Sequence, residues 1–103
     1  MMETEEQIKR IKDLILARLQ TVIDPETGAD VIRMRLVEDL AVDADGNVSY
    51  TFRPSSPLCP IAVFLVQQIK QAVSYVPGVE TQQITVVDYI GAEELTNLIN
   101  KEN

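Results

Sequence analysis

The stretch Asn47-Val48-Ser49-Tyr50-Thr51-Phe52-Arg53-Pro54-Ser55-Ser56-Pro57-Leu58-Cys59-Pro60 decides the fold. In its first half Val48, Tyr50 and Phe52 alternate with Asn47, Ser49 and Thr51, the period of a half-buried strand. Its second half, Arg53 to Pro60, carries three prolines in eight residues and cannot be regular structure. Beyond it, Ile61, Leu65, Ile69, Ala72 and Val73 mark one face of a helix, with Gln67, Gln68, Lys70 and Gln71 supplying polar positions. Val76-Pro77-Gly78 stops that helix. From Gln83 to Tyr89 a third strand alternates Ile84, Val86 and Asp88 with Thr85, Val87 and Tyr89. Strand, helix and strand in succession form a crossover unit, which predicts parallel strands and a right-handed connection.

Working backward, Asp43-Ala44-Asp45-Gly46 reads as a hairpin turn, preceded by a strand over Val37 to Val42. In that strand Val37, Asp39 and Ala41 oppose Glu38, Leu40 and Val42, while the stretch from Val31 to Leu36 has no clear period. Asp24-Pro25-Glu26-Thr27-Gly28 has turn chemistry: an acceptor oxygen, a fixed φ and a glycine. At the start of the chain, Thr4-Glu5-Glu6-Gln7 has the form of a capping box. Ile8, Ile11, Leu14, Ile15, Leu19 and Val22 then form the apolar stripe of an amphipathic helix that ends near Thr21. A short helix over residues 92–100 closes the chain. The expected order is α-β-β-α-β-α. It implies an α+β fold of two layers, a small mixed sheet with helices mainly on one face. All of it fits one domain over residues 1–103, with its core over about 7–90.

Composition narrows the chemistry. Nine Lys and Arg against sixteen Asp and Glu give a net charge of −7. That balance argues against nucleic acid, which needs a surplus of cations, and no basic run addresses an anionic membrane surface. The longest apolar run, Ile61 to Val66, has six residues, against roughly 20 for a membrane span. The acidic start Met1-Met2-Glu3-Thr4-Glu5-Glu6 lacks the basic and apolar regions of a signal peptide, so a cytoplasmic location is expected. No histidine is present, which excludes imidazole metal sites and Cys-His dyads within the chain. A single cysteine, Cys59, excludes an internal disulfide and a self-contained cluster site.

Cys59 precedes Pro60, a residue suited to the first position of a helix. At the helix start the free N–H groups and the helix dipole would favour a thiolate. Ser55 and Ser56 could donate hydrogen bonds there, and Arg53 is the nearest cation in sequence. Equally, Cys59 between Leu58 and Ile61 reads as a small core residue. Asp24 and Glu26, two apart in a proline turn, offer hard oxygen ligands or a base, or simply form the turn. The stretch Asp24 to Asp45 holds seven carboxylates against Arg33 and Arg35, a docking face for a basic partner or a solvated hairpin edge. Asp43-Ala44-Asp45-Gly46 lacks the later ligands of a calcium loop.

Val22-Ile23-Asp24-Pro25-Glu26 after a helix, Leu36-Val37, a hairpin, Ser55 to Cys59-Pro60 and Pro77-Gly78-Val79 together resemble the SufT/PaaD-like family of iron–sulfur cluster assembly proteins. The resemblance spans roughly Gln7 to Asp88 and implies a fold related to the C-terminal domain of NifU scaffolds. It implies a non-enzymatic accessory factor that binds iron or an iron–sulfur cluster transiently and meets client or scaffold proteins. The family's characteristic residues fall on Asp24, Ser55 (a Thr in the family) and Cys59, with Ser56, Glu26 and Arg53 in support. Arg35 stands where the family has a glycine that permits a special backbone conformation. One thiolate per chain implies that a cluster would need two protomers or ligands from a partner, and a symmetric homodimer is one way to supply them. The alternatives are an interaction module with a structural Cys59 and, ranked below it, a thiol enzyme activated by the helix dipole alone.

Overall fold

The computed structural model describes residues 2–101. Six elements follow in the expected order: α1 (Met2–Leu19), β1 (Val37–Val42), β2 (Asn47–Phe52), α2 (Ala62–Ser74), β3 (Thr81–Val86) and α3 (Ala92–Lys101). The sheet order is β1-β2-β3, antiparallel in its first pair and parallel in its second. The parallel register runs unbroken from Asn47↔Thr81 to Phe52↔Val86, so α2 is the crossover. One face of the sheet buries Val48, Tyr50, Phe52, Ile84 and Val86 beneath the helices; the other presents exposed Ser49, Gln83 and Thr85. The fold is therefore the two-layer α+β arrangement with a small mixed sheet. Among the described residues no helix is long and apolar enough to cross a membrane.

Polar atoms hold the layers in register. The buried Tyr50 hydroxyl donates to Gln82 Oε1 at 2.8 Å, and Gln82 Nε2 donates to the Lys70 carbonyl of α2 at 2.9 Å. Burial pushes the Tyr50 phenol well above its ordinary range. Because β3 is an edge strand, its free backbone groups need partners. Asn100 of α3 both accepts from the Ile84 N–H and donates to the Ile84 carbonyl, while Thr96 Oγ1 accepts from the Val86 N–H. The edge is closed by side chains.

Several local expectations change. Helix α1 already includes Thr4, so Thr4-Glu5-Glu6-Gln7 is not its cap; the good helix formers before it let the helix begin earlier. Leu14 is 41% exposed and lies off the buried stripe of Ile11, Ile15 and Leu19. Strand β1 does not alternate strictly. Two residues, Asp39 and Leu40, oppose Tyr50 alone, and Asp39 takes φ +55, a bulge that puts Val37 beside Leu40 and Val42 against the core. Strand β3 starts two residues early and stops at Val86, because Asp88 turns to φ +53.

Residues 30–36, without period in sequence, form a single capped helical turn. Asp30 Oδ1 accepts from Arg33 N–H at 2.8 Å, as an N-cap does. At the other end Leu36 N–H donates to Val31 O and Arg35 N–H to Ile32 O, the paired bonds of a Schellman motif. Buried Val31 and Leu36 are its apolar pair, and Arg35 sits at φ +58, where glycine is usual. The hairpin tip is built on Asp43, whose carboxylate accepts from Asp45 and Asn47. Its carboxyl is held below the usual range, foremost by the Asn47 side chain. This carboxylate caps its own turn.

Two stability predictions follow from backbone geometry. An added Cβ at Gly46, φ +86, would sit 2.2 Å from the Gly78 carbonyl oxygen, whereas at Gly28, φ +76, it would meet nothing within 4 Å. Gly46→Ala is expected to cost more than about 2 kcal/mol in urea denaturation, and Gly28→Ala about 1 kcal/mol. Equal losses would show that the hairpin tip does not press on the Pro77-Gly78 turn. Arg35→Gly should raise stability by up to about 1 kcal/mol, since glycine adopts φ +58 without Cβ strain; a lower stability would contradict the Schellman assignment.

Candidate functional site

The proline segment leaves the carboxyl end of β2 and is ordered as two consecutive turns that share Cys59. Cys59 N–H donates to Ser56 O at 3.2 Å, closing a turn with Pro57 at its second position. Ala62 N–H donates to Cys59 O at 3.3 Å, closing another with Pro60 at its second position. Proline favours that position because its φ is already set. Ile61, at φ −106 and ψ 11, takes the third-residue conformation of a type I turn. Thus Pro60 starts a turn and not α2, whose N-cap is Ile61, and Cys59 lies one turn ahead of the helix. The expected cap position for Cys59 is corrected accordingly.

The Cys59 side chain points inward. It is a free thiol, 3% exposed, within the apolar core cluster. Its neighbours Ser55, Ser56, Pro57, Leu58 and Pro60 are exposed. Ser56 Oγ accepts from Leu58 N–H, so this hydroxyl shapes the first turn. Arg53 is engaged elsewhere. Its Nε lies 3.0 Å from Asp88 Oδ2 and its Nη1 3.5 Å from Glu38 Oε1, tying the ends of β1 and β3 across β2. The adjacent loop, after β3, joins the proline segment through Ile90 N–H donating to Pro57 O at 2.9 Å.

Asp24 is fully buried, which its sequence position in a proline turn did not predict. Its Oδ1 accepts from Glu26 N–H at 2.8 Å, and its backbone carbonyl accepts from Thr27 and Gly28. Its Oδ2 is buried without a hydrogen-bond partner among the described residues. An unpaired buried polar oxygen costs about 1–3 kcal/mol, so its presence asks for a reason other than turn formation. Glu26 itself is exposed. No hydrogen bond joins Asp24 to Cys59, and no group of three or more His, Cys, Asp or Glu placed to hold a metal occurs among the described residues. Cys59 and Asp24 offer one thiol and one carboxylate, fewer donors than a cluster requires.

The chain matches known proteins over most of its length. The family described as "Iron-sulfur cluster assembly protein" matches residues 12–86. An uncharacterized protein of Methanocaldococcus jannaschii is 30% identical over 91 residues, covering 88% of this chain and 96% of the relative. The Fe-S protein maturation auxiliary factor YitW of Bacillus subtilis is 34% identical, covering 75% of this chain and 76% of the relative. An iron-sulfur cluster carrier protein of Synechocystis is 35% identical over 72% of this chain but only 21% of its own length. Among solved structures, a domain of unknown function, DUF59, from Bacillus anthracis is similar with a TM-score of 0.72 and 31% identity, covering 81% of this chain and 79% of that one. The ordered pattern from helix α1 to strand β3, the shared fold and these identities agree: the chain belongs to the iron–sulfur cluster assembly family as a divergent SufT-like member, with a role in iron–sulfur cluster assembly.

Proposed function

We propose that the protein is a non-enzymatic accessory factor that takes iron or an iron–sulfur cluster transiently on Cys59 and passes it to client proteins. The observation that supports this most is Asp24 Oδ2, the one buried side-chain oxygen or nitrogen without a hydrogen-bond partner among the described residues. Hard carboxylate oxygen suits iron, and thiolate suits both iron and a cluster. Cys59 is 3% exposed, so the segment from Arg53 to Ile61 must open locally before the thiol meets cargo. On ligation the thiol loses its proton to solvent. The exposed Ser55 hydroxyl and the Ser56 turn belong to the segment that moves.

The remaining ligands come from outside the chain. Relatives are named as maturation auxiliary factors and as a cluster carrier, which supports client or scaffold proteins as partners. A second copy of this chain is the other source, and there the cluster would sit in a homodimer. Burial of Cys59 among carbons favours a second reading, in which the thiol is structural and the protein acts through its surface alone.

Anaerobic reconstitution with a purified apo client separates the two. Cys59→Ala is expected to stay folded, lose bound iron and sulfide, and lower client maturation at least about tenfold. Iron and sulfide equal to the unsubstituted protein, with maturation intact, would leave the structural reading. Asp24→Asn keeps the acceptor for Glu26 N–H, so stability should stay within about 1 kcal/mol while maturation falls about tenfold. Full maturation by this variant would remove the carboxylate from the site.

A further inference from the structure

The two most exposed large hydrophobic residues among those described are Ile90, 77% exposed, and Leu58, 70% exposed. They lie far apart in sequence, yet their loops are joined by the hydrogen bond from Ile90 N–H to Pro57 O. Both loops leave the carboxyl ends of the parallel pair β2 and β3. Leu58 is also the residue directly before Cys59. Isolated exposed apolar residues need no explanation, but two on adjoining loops beside the candidate thiol mark a contact surface.

The charge near this pair is mostly negative, with Arg53 the cation set among it. Asp88 precedes Ile90 by two residues, and Glu93 and Glu94 follow it, exposed in the first turn of α3. Glu38 and Asp88 share the single cation Arg53. We infer that Leu58 and Ile90 form the apolar centre of a docking surface for the protein that exchanges cargo with Cys59. That partner presents an apolar spot rimmed by Lys and Arg. This rests on the proposed function and adds to it the chemistry of the partner. A second copy of this chain does not suit the surface, because a two-fold contact would set Glu93 and Glu94 against like charges.

Site-specific photo-crosslinking in cells tests it, with p-benzoylphenylalanine in place of Ile90 and, as control, in place of Leu98, 53% exposed on α3. Expected from position 90 is an adduct with an iron–sulfur protein, identified by mass spectrometry, whose crosslinked surface carries Lys or Arg. The double variant Glu93→Gln and Glu94→Gln should lower that adduct about fivefold, with the circular dichroism spectrum unchanged. A dominant adduct with a second copy, with a protein lacking iron and sulfur, or with a yield no greater than the control's would overturn the assignment. A yield indifferent to the double variant would overturn the charge complementarity. The adduct is read also in Cys59→Ala: if it persists while maturation proves independent of the thiol, the docking surface stands and the proposed cargo role falls.

Discussion

The parallel pairing of β2 with β3 is the constraint on which the rest depends. A sheet with one apolar face must bury that face against a second layer. Parallel strands cannot be joined by a tight turn, so α2 must cross over the sheet, and the crossover supplies that layer. The same pairing brings the ends of β2 and β3 together, which sets the proline segment beside the loop carrying Ile90. It also leaves β3 as an edge, which α3 closes through Asn100 and Thr96. Site and scaffold thus share one cause.

Within that frame, the proline segment solves two demands at once. Pro57 and Pro60 each fix the second position of a turn, so a segment without regular structure still has a defined path. Cys59, at the junction of the turns, is carried inward while its neighbours face water. In the proposed role such a thiol would be shielded when idle and would need only a local rearrangement to be presented. Asp24 is held with comparable care by its own Asx turn, leaving one oxygen unspent.

Much of this was legible from residue patterns, and the misses have physical reasons. The period-two alternation of β2 and the period of α2 identified the crossover because both elements bury one face only. The bulge at Asp39 was hidden because an Asp at positive φ leaves no mark on a hydrophobic pattern. Pro60 suits both the first position of a helix and the second of a turn, and only the hydrogen bond from Ala62 to Cys59 decides between them. Arg35 was readable as a departure where glycine is usual, and its φ of +58 gives that departure a backbone meaning. The burial of Asp24 was not readable, since an Asx turn looks the same on a surface and in a core. The exposed pair Leu58 and Ile90 is a tertiary fact. Leu58 between two prolines was its only signal in sequence.

Local presentation of Cys59 is the claim that joins fold to function. Its most direct measurement is the alkylation rate of Cys59 by iodoacetamide across urea concentrations below the unfolding transition, set beside global unfolding followed by circular dichroism. Local opening predicts labelling well before the transition, with a weak dependence on urea because little surface is exposed. Labelling that tracks global unfolding throughout would contradict it, and would make Cys59 a residue of the core alone.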